Sequence, residues 1–158
     1  TPPARTAVIQ ALASYIRSLV AGNTPYDRYA AGDATALTLA QKRGARLFFV
    51  KFRCSECHAG SNFTNEQLSS RCYPKVSGLS QQDVEKKNEL KVKTPTLRNL
   101  TLTGPYFHNG RLKTLEEVIE FYNMTGFKNQ VVSISSQEKK DLVQFLLSLS
   151  SDTQVDTP

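Results

Sequence analysis

The stretch Cys54-Ser55-Glu56-Cys57-His58 decides how the rest of the chain reads. It is a C-x-x-C-H string, the form through which c-type haem is attached. Two thiols three positions apart on one helical turn can each form a thioether to a haem vinyl group. The adjacent histidine then lies beneath the iron as its proximal ligand. Two other chemistries share part of the string. A dithiol redox pair wants a βαβ context, and a zinc site wants a second Cys/His pair. Outside the string the chain offers only Cys72 and His108, far apart and without ligand-like spacing. Cys72 reads as a buried or partly buried free thiol. Haem c attachment also places a protein outside the cytoplasm, in bacteria in the periplasm.

Around that string the apolar spacing is helical. From Arg5 to Val20, residues Val8, Ile9, Leu12, Ile16, Leu19 and Val20 recur at three and four, and Gly22-Asn23-Thr24-Pro25 ends the pattern. Tyr26 to Asp33 reads as a polar loop. A second helix is expected from about Thr35 to Val50, with Leu37, Ala40, Ala45 or Gly44, Leu47 and Phe48 inward, leading straight into the haem string. Residues 59 to 93 lack periodicity and read as a long loop over the haem edge. Thr114-Leu115-Glu116-Glu117 and Ser135-Ser136-Gln137-Glu138 are capping boxes. The first opens a helix to about Asn123, with Gly126 as its stop. The second opens a last helix with Leu142, Val143, Phe145, Leu146 and Leu149 as its apolar stripe. The expected fold is all-α: a small cytochrome c-like domain wrapped around one covalent haem, its core over about 5–149 and a polar tail over 150–158.

Composition narrows the function classes. The chain has 158 residues, 39% hydrophobic and 22% charged, so it reads as one globular domain. No apolar run reaches the roughly 18 residues of a membrane span. Net charge is +6, but the positive residues are interleaved with Asp83, Glu85, Glu89, Glu138 and Asp141. That is the pattern of solvated faces, not of a nucleic-acid surface. The opening TPPARTAV shows no secretory signal.

An iron held by His58 needs a second ligand or an open face. Met is the usual distal ligand in electron carriers, with Tyr and His as alternatives. On the Thr114 helix, Leu115, Val118, Ile119 and Tyr122 share a face. Met124 lies two positions further, roughly 200° around a continuing helix. The spacing therefore favours Tyr122 over Met124, unless the helix unwinds near Asn123.

The runs Lys93-Thr94-Pro95-Thr96-Leu97-Arg98-Asn99-Leu100 and Leu102-Thr103-Gly104-Pro105-Tyr106-Phe107-His108-Asn109-Gly110 closely resemble the C-terminal haem domain of bacterial di-haem cytochrome c peroxidases and the related MauG enzymes. Supporting blocks are 23–33, 48–64, 115–123 and 138–147. The resemblance implies a domain that relays electrons to or from a partner, peroxide-reacting haem. The family's distal ligand position falls on Tyr122; peroxidases carry Met there and MauG carries Tyr. The resemblance further implies haem-pocket roles for Phe48, Phe63, Pro95, Leu97, Arg98 and Phe107, with Arg98 pairing with a propionate. It also implies a partial calcium site on the carbonyls of Thr103 and Pro105 and places His108 in a covering loop or at an interface.

The implied partners are a second haem c domain in the same enzyme or a separate subunit, and a small cytochrome c or cupredoxin donor or a protein substrate. A dimer is a further expected assembly. With a single C-x-x-C-H and no Trp, the chain reads as half of such an enzyme. Two alternatives remain: a stand-alone mono-haem carrier, and a Tyr-ligated haem that itself reacts with peroxide.

Overall fold

Four hydroxyl side chains, each three residues ahead of a carboxylate or amide, start most of the helices. The computed structural model of the chain describes residues 2–18, 21–69, 92–107, 109–125 and 133–151. Its helices are α1 (Arg5–Ser18), α2 (Pro25–Ala30), α3 (Leu39–Arg46), α4 (Leu115–Thr125) and α5 (Ser136–Leu147). Thr24, Thr38 and Ser135 cap α2, α3 and α5, with Asp27, Gln41 and Glu138 reaching back to the cap amides. Thr114 and Glu117 exchange the same pair of bonds at α4. Each box satisfies amides that the first helical turn leaves without partners.

Two sequence expectations change here. Tyr26 to Asp33 is not all loop, because Thr24 and Asp27 form a capping box and Pro25 sits at the first helical position, so α2 forms. The expected 35–50 helix is shorter. It starts after Thr38, the first hydroxyl with a glutamine three residues on, and after Arg46 widens into a π-type turn over Leu47–Lys51. There Phe52 N–H bonds Leu47 O at 2.8 Å. Arg53 then takes a left-handed conformation, φ +52°, and turns the chain into a 3₁₀ turn over Cys54–Glu56.

The core lies where α3 and the π-type turn meet α5 and α4. Phe48, Phe145 and Leu149 are the most deeply buried apolar residues, and Leu115, Ile119, Leu142, Val143 and Leu146 surround them. Gly44 permits the central contact: a Cβ built on it would stand 2.0 Å from Asp141 O. Beside it, the Arg43 fork closes on Asp141 at 2.7 and 2.8 Å. Leu68–Ser69 and Val92–Lys93 pair antiparallel, Leu68 opposite Lys93, and close the base of the long loop. The rest of that loop, with Cys72, lies outside the described residues. So do His108, Gly126 and the tail beyond Ser151.

The α1 helix forms as its spacing predicts, yet none of its residues is buried. Val8, Ile9, Leu12 and Ile16 are all exposed. No helix among the described residues is long and apolar enough to cross a membrane.

Candidate haem site

The Cys54–Glu56 turn brings the donor atoms together. His58 N–H and Cys57 N–H both bond Cys54 O, at 3.0 and 3.2 Å, so the two thiols and the imidazole leave a single tight turn. Cys54 and Cys57 are not joined in a disulfide. Burial pushes the Cys54 thiol up to about 12. Dithiol redox sites need the opposite, a lowered thiol pKa.

Burial also lowers the His58 pKa, against hydrogen bonds with the Phe63 and Pro95 carbonyls that raise it, so the ring is neutral at pH 7. Its Nδ1 lies 3.0 Å from Phe63 O. A ring donating from Nδ1 presents Nε2 to a metal with its tautomer fixed. Among the described residues no three His, Cys, Asp or Glu gather for a metal ion. Two free thiols and a neutral imidazole on one turn fit a covalent haem.

The expected pocket residues are placed as follows. Phe48 and Phe63 are 1% and 3% exposed and belong to the protein core. Their rings pack on Phe145 and on each other, and Tyr26 adds an edge to Phe63 at 5.3 Å. Leu97 is half-buried against the same core, whereas Pro95 is exposed. Phe107 packs on Phe121 at 4.8 Å and on Tyr122 at 5.9 Å. Thr103 and Pro105 are exposed in the turn after Leu100–Leu102.

Arg98, expected on a propionate, has its fork on the Asp27 carboxylate at 2.7 and 2.8 Å. A loop reading of residues 26–33 conceals that partner. The signal that reveals it is Thr24-Pro25-Tyr26-Asp27, a box with Pro at its first turn. Phe121, buried beside Tyr122, also lies off the expected face.

The α4 helix runs through Thr125 without unwinding at Asn123, so Tyr122 and Met124 point apart. Tyr122 is half-buried against two rings, while Met124 is 68% exposed.

Two buried-side ion pairs carry an acid sensitivity. Hydrogen bonds from Arg98 lower the Asp27 pKa, and those from Arg43 lower that of Asp141. A carboxyl whose folded pKa is depressed stabilises the fold above its unfolded value, near ~4, and that stability is lost as pH falls through the folded value. Urea midpoints measured from pH 6 down to 2 are expected to fall below about pH 4. The Asp27→Asn/Asp141→Asn variant is expected to start lower and show a flatter decline.

No protein-family model matches the chain. The methylamine utilization protein MauG of Methylorubrum extorquens is 35% identical over 156 residues, covering 92% of this chain and 44% of that protein. The cytochrome-c peroxidase IdrP2 of Denitromonas iodatirespirans is 32% identical over 173 residues, covering 87% of this chain and 47% of that protein. A solved MauG-like protein associated with microbial copper homeostasis superposes with a TM-score of 0.65 and 27% identity, over 86% of this chain and 54% of that one. The chain thus spans about half the length of the relatives it matches. Identity at this level along about nine-tenths of its residues, on an all-α fold shared with a MauG-like structure, makes the chain a member of the cytochrome c peroxidase and MauG family.

Proposed function

We propose that the chain is an electron-relay domain of an oxidoreductase of this family. One haem c is tethered by Cys54 and Cys57, with His58 as proximal ligand and Tyr122 as second axial ligand. The observation that carries the reading is the tight Cys54–His58 turn, which carries two free thiols and an imidazole oriented by Phe63 O. Bound there, haem c supplies one-electron exchange at iron. The chain's own residues hold and tune it. Cys54 and Cys57 would supply the tether, Phe63 O accepts a hydrogen bond from His58 Nδ1–H, and the Phe107–Phe121–Tyr122 cluster holds the phenol in place. An oxygen donor stabilises ferric iron and lowers the potential relative to Met.

The chain matches about half the length of its relatives. In this proposal the peroxide-reacting haem belongs to a further domain or subunit, and the Lys93–Leu100 and Leu102–Gly110 runs assign this chain to the C-terminal position of the pair. The periplasm, a small cytochrome c or cupredoxin donor and a calcium ion shared through the Thr103 and Pro105 carbonyls belong to the same proposal.

Optical spectra of the haem-loaded chain test it. The ferric form is expected to lack the long-wavelength band of a sulfur–iron bond. Tyr122→Phe should change the ferric spectrum and raise the midpoint potential, and Met124→Leu should change neither. If Met124→Leu moves the spectrum and Tyr122→Phe does not, Met124 is the ligand. Peroxide added to the parent should leave the Soret band unchanged; a shifted band would mean that this haem meets peroxide itself.

A further inference from the structure

Between the haem string and the Thr94–Arg98 segment, four consecutive residues are each fastened from across the gap. Arg98 Nε donates to Ser61 O at 2.7 Å. Thr96 Oγ1 donates to Asn62 O at 2.6 Å. The Phe63 ring is buried in the core, with the Arg98 guanidinium 5.6 Å from its centre. Thr64 Oγ1 donates to Thr94 O at 2.6 Å. The loop they fasten is not one the backbone adopts freely. Phe63 sits at φ +50°, in the left-handed region that a bulky residue enters only when its surroundings over-determine it. That conformation sets the Phe63 carbonyl 3.0 Å from His58 Nδ1.

Arg98 is itself anchored. It is 8% exposed, and a buried guanidinium needs a counter-charge. Both terminal nitrogens meet the Asp27 carboxylate, which also accepts from Thr24 N–H at 3.0 Å and Thr24 Oγ1 at 2.9 Å. A carboxylate fixed at the start of α2 thus orients a guanidinium whose fifth donor, on Nε, aims at the loop carrying Phe63 O, one of the two carbonyls that hydrogen-bond His58.

We infer that Arg98, anchored by Asp27, is a positioning residue for His58: it holds Ser61–Phe63 so that the Phe63 carbonyl accepts a hydrogen bond from Nδ1–H and sets the orientation and basicity of the iron ligand. The inference rests on His58 as proximal ligand. An outer partner of this kind raises the basicity of a ligating imidazole, which favours ferric iron. Loosening the loop weakens that bond, and the potential rises.

The test uses the haem-loaded chain and three single variants. Arg98→Lys keeps a positive charge beside Asp27 but lacks the planar fork that reaches Ser61 O at the same time. Thr96→Val removes the exposed latch on Asn62 O and the Oγ1 that accepts the Arg98 backbone N–H at 3.1 Å, and leaves the Arg98 fork on Asp27 in place. Arg43→Gln breaks the other carboxylate fork, α3 to α5, which does not touch the loop. NMR follows exchange of the His58 ring N–H, and redox titration gives the midpoint.

Arg98→Lys is expected to speed exchange about tenfold, the loss of roughly one net hydrogen bond, and to raise the midpoint. Thr96→Val should move both in the same direction by less, while Arg43→Gln lowers stability and moves neither. Unchanged exchange and midpoint in Arg98→Lys, with His58 still on iron, would overturn the inference alone. So would an equal shift in Arg43→Gln, since general loosening would then account for it. A parent in which His58 does not ligate iron would overturn the underlying assignment as well.

Discussion

A Gly44→Ala variant is expected to be severely destabilised, although Ala is the better helix former by roughly 1 kcal/mol. Gly44 lies in α3 at its crossing with α5, and the added methyl would meet Asp141 O at 2.0 Å, Asp141 C at 2.7 Å and Phe145 Cβ at 2.7 Å. Two of those atoms are backbone and the third is the stem of a fully buried ring, so no side-chain rotation relieves the contact. The helices must separate, and Phe48, Phe145 and Leu146 lose packing together.

Overpacking of this kind costs ~1–3 kcal/mol, and more where backbone must move. At roughly 2–4 °C per kcal/mol for a chain of this size, thermal melting is expected about 10 °C below the parent. Calorimetry of parent and variant checks it, and a melting point at or above the parent's would mean that α3 and α5 do not approach as described. Ala45→Gly, one position round the helix, should cost only about 1 kcal/mol of propensity.

The second large effect concerns the tether. A Cys54→Ala/Cys57→Ala variant is expected to lose all covalent haem, so that acidified organic solvent extracts every haem that the parent retains. His58→Gly should behave differently. It keeps both thioethers, resists extraction, and loses the spectrum of an imidazole-ligated iron. On the proposed reading, in which the ring is a ligand oriented by Phe63 O and not part of the attachment, added imidazole should restore that spectrum. If His58→Gly leaves the spectrum as it was, His58 does not hold the iron.

Local chemistry was the legible part of the sequence. Capping boxes at Thr114 and Ser135 work through neighbours three residues apart, and both helices begin where the boxes place them. The tight Cys54–His58 turn and the apolar stripe of α5 are equally local, and both are found in the fold. The same rule marks α2 at Thr24 and Asp27 and the start of α3 at Thr38 and Gln41. Periodicity also separated Tyr122 from Met124 on the turn of one helix, and α4 keeps that turn through Thr125.

Tertiary structure alone decided what crosses between segments. Helical spacing left Gly44 and Ala45 as equal candidates for the inner face; only the approach of Asp141, nearly a hundred residues on, selects the residue without a Cβ. The family resemblance implies a propionate beside Arg98, and no pattern in the sequence discloses that its fork closes on a carboxylate 71 residues earlier in the chain. Nor does any spacing rule disclose that Ser61, Asn62 and Thr64 are held by Arg98, Thr96 and Thr94. Such contacts depend on which surfaces the packed helices bring within about 3 Å, the reach of a hydrogen bond, and a one-dimensional pattern carries no term for that distance.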